Sequence, residues 1–95
     1  MPIGTFHILK LPDFRVLTPA EQFTEALKYG RPVDFFKGDQ PRQLHRVLYR
    51  YDSFYVELTF FQFLDTETEA GVQVFESIHD LPSRYESYRI RMSTP

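Results

Sequence analysis

Seven aromatic rings fall between Tyr49 and Phe63: Tyr49, Tyr51, Phe54, Tyr55, Phe60, Phe61 and Phe63. Within that stretch residues 54–64 have the pattern of a strand whose two faces are both apolar. Side chains of a strand alternate between faces, which puts Phe54, Val56, Leu58 and Phe60 on one side and Tyr55, Glu57, Thr59, Phe61 and Phe63 on the other. One helix layer covers only one face of a sheet, so a sheet built on this strand needs a second cover. That cover is a second helix, a second protomer or a partner. Tyr55, Phe61 and Phe63 are the rings that need it, and they are the candidate interface residues.

The rest of the chain must supply the first cover from few residues. Ninety-five residues make one domain, since two cores would each be too small to offset chain entropy. Leu17-Thr18-Pro19-Ala20-Glu21 carries a helix start: Thr18 as cap, Pro19 at the first helical position, and Glu21 placed to bond back to the Thr18 amide. Ala20, Phe23, Ala26 and Leu27 form the apolar stripe, and Gly30 with Pro32 supplies the stop, so a helix is expected over 18–29. Strands are expected at 33–37, 44–51, 54–64 and 72–77, with a short edge strand allowed at 5–9 before Pro12 breaks the ladder. Residues 44–51 also fit a helical stripe, which would align Arg42, Arg46 and Arg50. Val and Tyr content and the tight Tyr51-Asp52-Ser53 connection favour a strand. The acidic run 65–71 reads as a longer hairpin loop. Asp80 reads as the cap of a final helix over 80–89, with Pro82 in its first turn and Leu81, Tyr85 and Tyr88 on one face. The expected fold class is α+β: a three- to four-stranded antiparallel meander with an N-terminal and a C-terminal helix.

Chemistry is sparsely signalled. With no Cys there is no disulfide, thiolate zinc site or cysteine nucleophile. His7, His45 and His79 lie on separate elements without metal-ligand spacing, so no metal is expected, and no cofactor either. No Gly-x-Ser-x-Gly elbow and no glycine-rich phosphate loop is present. His79-Asp80 reads as a helix-cap neighbourhood. Glu57 reads as a residue of a less buried face paired across strands with an arginine. Charge is uneven: residues 1–50 hold 8 basic and 5 acidic side chains (+3), residues 51–95 hold 3 and 8 (−5), for a net −2. Lys37, Arg42, Arg46 and Arg50, with Tyr49 and Tyr51 interleaved, form a patch that could grip RNA, although arginines on a solvent face also keep a sheet soluble. No apolar run reaches the length of a membrane span, and the first residues lack the regions of a signal peptide, which points to a cytoplasmic protein.

Leu17-Thr18-Pro19-Ala20-Glu21-Gln22, Ala26-Leu27, Phe54-Tyr55-Val56-Glu57-Leu58, Phe75-Glu76-Ser77 and Leu81 with Tyr85 together resemble a group of small bacterial proteins of unknown function. The resemblance runs from Leu17 to Ile90 and implies a stand-alone domain without assigning a site. Arg46-Val47-Leu48-Tyr49-Arg50-Tyr51-Asp52 is similar to the hairpin of RelE/ParE-type toxins, whose sheets carry ribosome-dependent mRNA cleavage or gyrase inhibition. Those toxins are usually basic and place a helical hairpin before the sheet; this chain is mildly acidic with one clear helix there.

The leading expectation is a small non-catalytic protein-interaction module, binding a protein partner or a second copy as a homodimer through the aromatic sheet face or an edge strand. Nucleic acid and membrane are not expected partners. The alternative is a RelE/ParE-like toxin acting on mRNA or the ribosome. Arg42, Arg46 and Arg50 would then contact RNA, with His45 or Glu57 as acid/base groups.

Overall fold

The computed structural model describes residues 8–37, 44–63 and 66–93, and of residues 44, 61–63 and 66–70 the backbone alone. Two helices, α1 (Leu11–Arg15) and α2 (Pro19–Tyr29), precede four strands, β1 (Arg31–Lys37), β2 (Leu44–Tyr51), β3 (Phe54–Phe63) and β4 (Thr66–Phe75). Two 3-10 turns, Ile78–Asp80 and Ser83–Tyr85, lead into α3 (Glu86–Ser93). The sheet is antiparallel throughout, in the order β1-β2-β3-β4. The fold class is α+β.

The start of α2 follows from local chemistry. Thr18 Oγ1 accepts from the Glu21 amide (3.2 Å) while Glu21 Oε1 accepts from the Thr18 amide (2.9 Å), satisfying two donors the helix cannot satisfy itself. Gly30 ends the helix in an extended conformation (φ −76°, ψ 158°) rather than a left-handed one. Its smallness serves a close approach instead, since a Cβ there would lie 2.5 Å from the Ala26 carbonyl oxygen and 3.1 Å from Tyr49 Cβ.

The two faces of the sheet have separate covers. On one, which we call the α2 face, Tyr49, Tyr51, Phe54, Val56 and Leu58 pack with Phe14 of α1 and with Phe23 and Ala26 of α2. On the other, the α3 face, Leu48, Tyr55 and Phe75 pack with Leu81, Tyr85 and Tyr88. Segments at opposite ends of the chain thus cover the two sides of β3 over residues 54–58. The β2–β3 register keeps the two sets apart, pairing Tyr49 with Val56 and Leu48 with Glu57.

Four boundaries differ from the sequence expectation. No strand includes Ile8 or Leu9, and residues 5–7 of the expected 5–9 strand lie outside the described residues. Pro12 instead occupies the first turn of α1, whose Phe14 is fully buried against Tyr51 and Phe54 (ring centroids 5.0 and 5.2 Å). β1 starts at Arg31, with Pro32 tolerated because β1 is an edge strand and a bulge follows it. β4 begins at Thr66 rather than 72 and ends at Phe75. Alternating threonines and glutamates there look like a loop, but pairing with residues 60–63 of β3 makes them a strand. The expected 80–89 helix is broken, because Leu81 precedes Pro82 and is held extended (φ −68°, ψ 140°). Ser77 rather than Asp80 caps the first turn, accepting from the His79 amide, and α3 starts only at Glu86.

Candidate functional site

Tyr55 is core. It is 4 % exposed, sits opposite Phe75 in the ladder, and its hydroxyl shares a 3.3 Å hydrogen bond with that of Tyr88 in α3. Its assignment as an interface residue is corrected: the cover it needs comes from the chain's own C-terminal helix. Phe61 and Phe63 lie in β3 opposite Thr68 and Thr66, and their side chains fall outside the described residues.

Glu57 is the one buried charged residue among those described, at 2 % exposure. Its partner is an arginine, but one from a 3-10 turn rather than from a neighbouring strand. Arg84 Nε and Nη2 each donate to the carboxylate at 2.8 Å, and Tyr85 Oη donates at 2.6 Å. The hydrogen bond to Glu57 raises the Arg84 pKa, and burial followed by the Glu57 bond raises that of the Tyr85 hydroxyl. Every oxygen of Glu57 is engaged, and the group is a structural anchor rather than a base open to substrate.

The proposed RNA-directed set is not assembled at one place. Residues 44–51 form a strand, so Arg46 and Arg50 share the α3 face with Leu48, whereas His45, Tyr49 and Tyr51 belong to the α2 face. The tyrosines expected between the arginines are therefore on the other side of the sheet. Arg42 lies outside the described residues. His45 is stacked with Phe35 of β1 (centroids 6.1 Å, 24°), and the sheet separates it from Glu57.

Sequence reasoning missed an open, ring-lined apolar surface. On the α2 face, Phe35, His45, Val47, Tyr49 and Phe60 line a concavity of about 390 Å³ over β1 and β2. Phe35 is 55 % exposed, while Val47 and Phe60 are half-buried. An edge-to-face contact between Phe23 and Phe60 (5.2 Å) marks where α2 borders it. The available signal was the short run Val33, Phe35 and Phe36, apolar on both faces of a strand that Pro32 places at an edge. A second hollow of about 420 Å³ lies between Leu9, Leu17, Ala20, Glu21, Thr24 and Glu25. Its carboxylates already have structural partners: Glu21 closes the capping box, and Glu25 accepts from Tyr51 Oη at 2.8 Å.

The free edge of β1 is poorly suited to adding a strand. Pro32 has no N–H, the register shifts between Pro32 and Asp34, and the Phe35 N–H donates to Asp34 Oδ1 at 2.8 Å. Such devices blunt an edge against pairing.

Among the described residues, no cluster of three or more His, Asp or Glu could hold a metal ion, and no helix is long and apolar enough to cross a membrane. Compared with protein families, curated proteins and solved structures, the chain has no match.

Proposed function

We propose that the protein is a small non-catalytic protein-interaction module that docks an apolar segment of another polypeptide, or of a second copy of itself, on the β1–β2 half of its α2 face. One observation carries the reading: Phe35 stands 55 % exposed in a concavity walled by Val47, Tyr49 and Phe60. A large ring left in water beside half-buried neighbours forgoes burial worth about 2 kcal/mol, which a partner would recover. The blunted β1 edge favours face-to-face docking over strand addition. Against a catalytic reading, Glu57 is fully engaged and on the opposite face from His45.

The test is Phe35→Asp, compared with the parent protein by sedimentation velocity over a range of concentrations and as tagged bait in source-cell lysate. The folded parent should self-associate or retain a specific protein, and the variant should lose that association while keeping its circular dichroism and melting transition. A parent that stays monomeric and retains nothing, or retention unchanged by Phe35→Asp, overturns the reading.

A further inference from the structure

Four arginines gather on the α3 face without a carboxylate partner among the described residues. Arg31 and Arg50 are directly opposite in the β1–β2 ladder. Arg50 lies over the Tyr55 ring and Arg91 over the Tyr88 ring, both at 5.7 Å, and those two tyrosines touch through their hydroxyls. Arg46, four residues before Arg50 on the same side of β2, lies over Phe36 at 5.9 Å. The ion pairs among described residues are Lys10–Asp52, Arg15–Glu76 and Arg84–Glu57, and none includes these four. Asp34, the acid of β1, turns its Oδ1 to the Phe35 amide.

A like-charge pair facing across two strands destabilises a sheet, and here a third cation from α3 is added to it. The chain keeps this arrangement while carrying a net charge of −2, so the cluster is a local feature rather than part of a basic surface. All four are arginines, whose planar forks pair bidentately with carboxylates or phosphates.

We infer that Arg31, Arg50 and Arg91, with Arg46 farther along β2, form a docking surface for an acidic protein segment. Two observations favour carboxylates over a nucleic-acid strand. Tyr55 and Tyr88, the rings beneath Arg50 and Arg91, are each 4 % exposed, so neither is open for a base to stack on. The net negative charge repels a long polyanion, whereas a short acidic segment feels mainly the charges within about 8 Å at physiological salt. Arg46 and Arg50 stand about 13 Å apart along the strand, a spacing that acidic side chains four residues apart in an extended peptide reproduce. This surface is on the opposite side of the sheet from the apolar concavity, and the inference goes beyond the proposed docking there without depending on it.

The experiment is fluorescence anisotropy of a labelled poly-glutamate peptide titrated with the full chain at low and at physiological salt, with a single-stranded RNA homopolymer in parallel. Poly-glutamate should bind, and Arg50→Glu combined with Arg91→Glu should weaken it about tenfold or more. Phe35→Asp and Arg15→Ala should leave it unchanged. Because Arg50 and Arg91 rest on core tyrosines, Arg31→Gln with Arg46→Gln supplies a second variant, expected to weaken binding and flatten its salt dependence. Absence of poly-glutamate binding at low salt, binding indifferent to both variant pairs in folded protein, or RNA bound more tightly than poly-glutamate each overturns the assignment.

Discussion

Glu57 in the centre of β3 and Arg84 in the turn before α3 meet through two parallel 2.8 Å hydrogen bonds, 27 residues apart in sequence. With Tyr85 Oη completing the set, this contact ties the C-terminal segment to the sheet it covers. A buried ion pair contributes little over a well-packed apolar pair, yet breaking one side of it leaves an uncompensated charge.

Arg84→Met should therefore destabilise the protein by about 3 kcal/mol or more at neutral pH, since it leaves a nearly inaccessible carboxylate with Tyr85 alone. Adding Glu57→Gln should recover part of the loss. Urea denaturation of the three proteins at neutral pH checks both expectations, and an Arg84→Met variant as stable as the parent would count against the account.

Gly30→Ala should cost about 1–3 kcal/mol, because the new methyl meets the Ala26 carbonyl oxygen at 2.5 Å and the Cβ of Tyr49 at 3.1 Å. Both are rigid neighbours, so the backbone where α2 passes into β1 must shift. Gly71→Ala, with nothing within 4 Å of the added carbon, should be neutral or slightly stabilising. Thermal melts of the two variants distinguish a packing role for Gly30 from a general glycine effect.

Alkaline pH should destabilise the fold through its buried tyrosines. Burial, reinforced by the hydrogen bond to Glu25, pushes Tyr51 up to about 12; burial and the Tyr55 hydrogen bond push Tyr88 up to about 12. The unfolded chain ionises first, near pH 10, and so binds fewer protons than the folded chain above that pH. Stability from these groups is complete below about pH 10 and is lost as pH rises toward about 12. Denaturation midpoints should be flat on this account up to about 10 and then fall.

Features legible in the sequence were those whose physics closes within a few residues. Thr18, Pro19 and Glu21 specify the start of α2 because a capping box joins atoms three residues apart. Asp52 and Ser53 join β2 to β3 in a two-residue turn, where Asp52 adopts the left-handed conformation (φ 54°) that aspartate tolerates better than most residues. Alternation over residues 54–63 showed a strand apolar on both faces, and the element order implied α+β. The packing partners Leu81, Tyr85 and Tyr88 were also visible as a set, although the helix expected to carry them is interrupted at Pro82.

Long-range contact settled the rest. Thr66–Glu69 extend β4 because β3 is there to pair with them, and Phe14 nucleates a short helix because Tyr51 and Phe54 offer it a pocket. Whether Tyr55 is interface or core depended on which face α3 covers, and whether Glu57 is a base or an anchor depended on Arg84. Alternation assigns a residue to one side of a strand; what lies on that side is a matter of chain topology, which no local pattern in residues 54–63 contains.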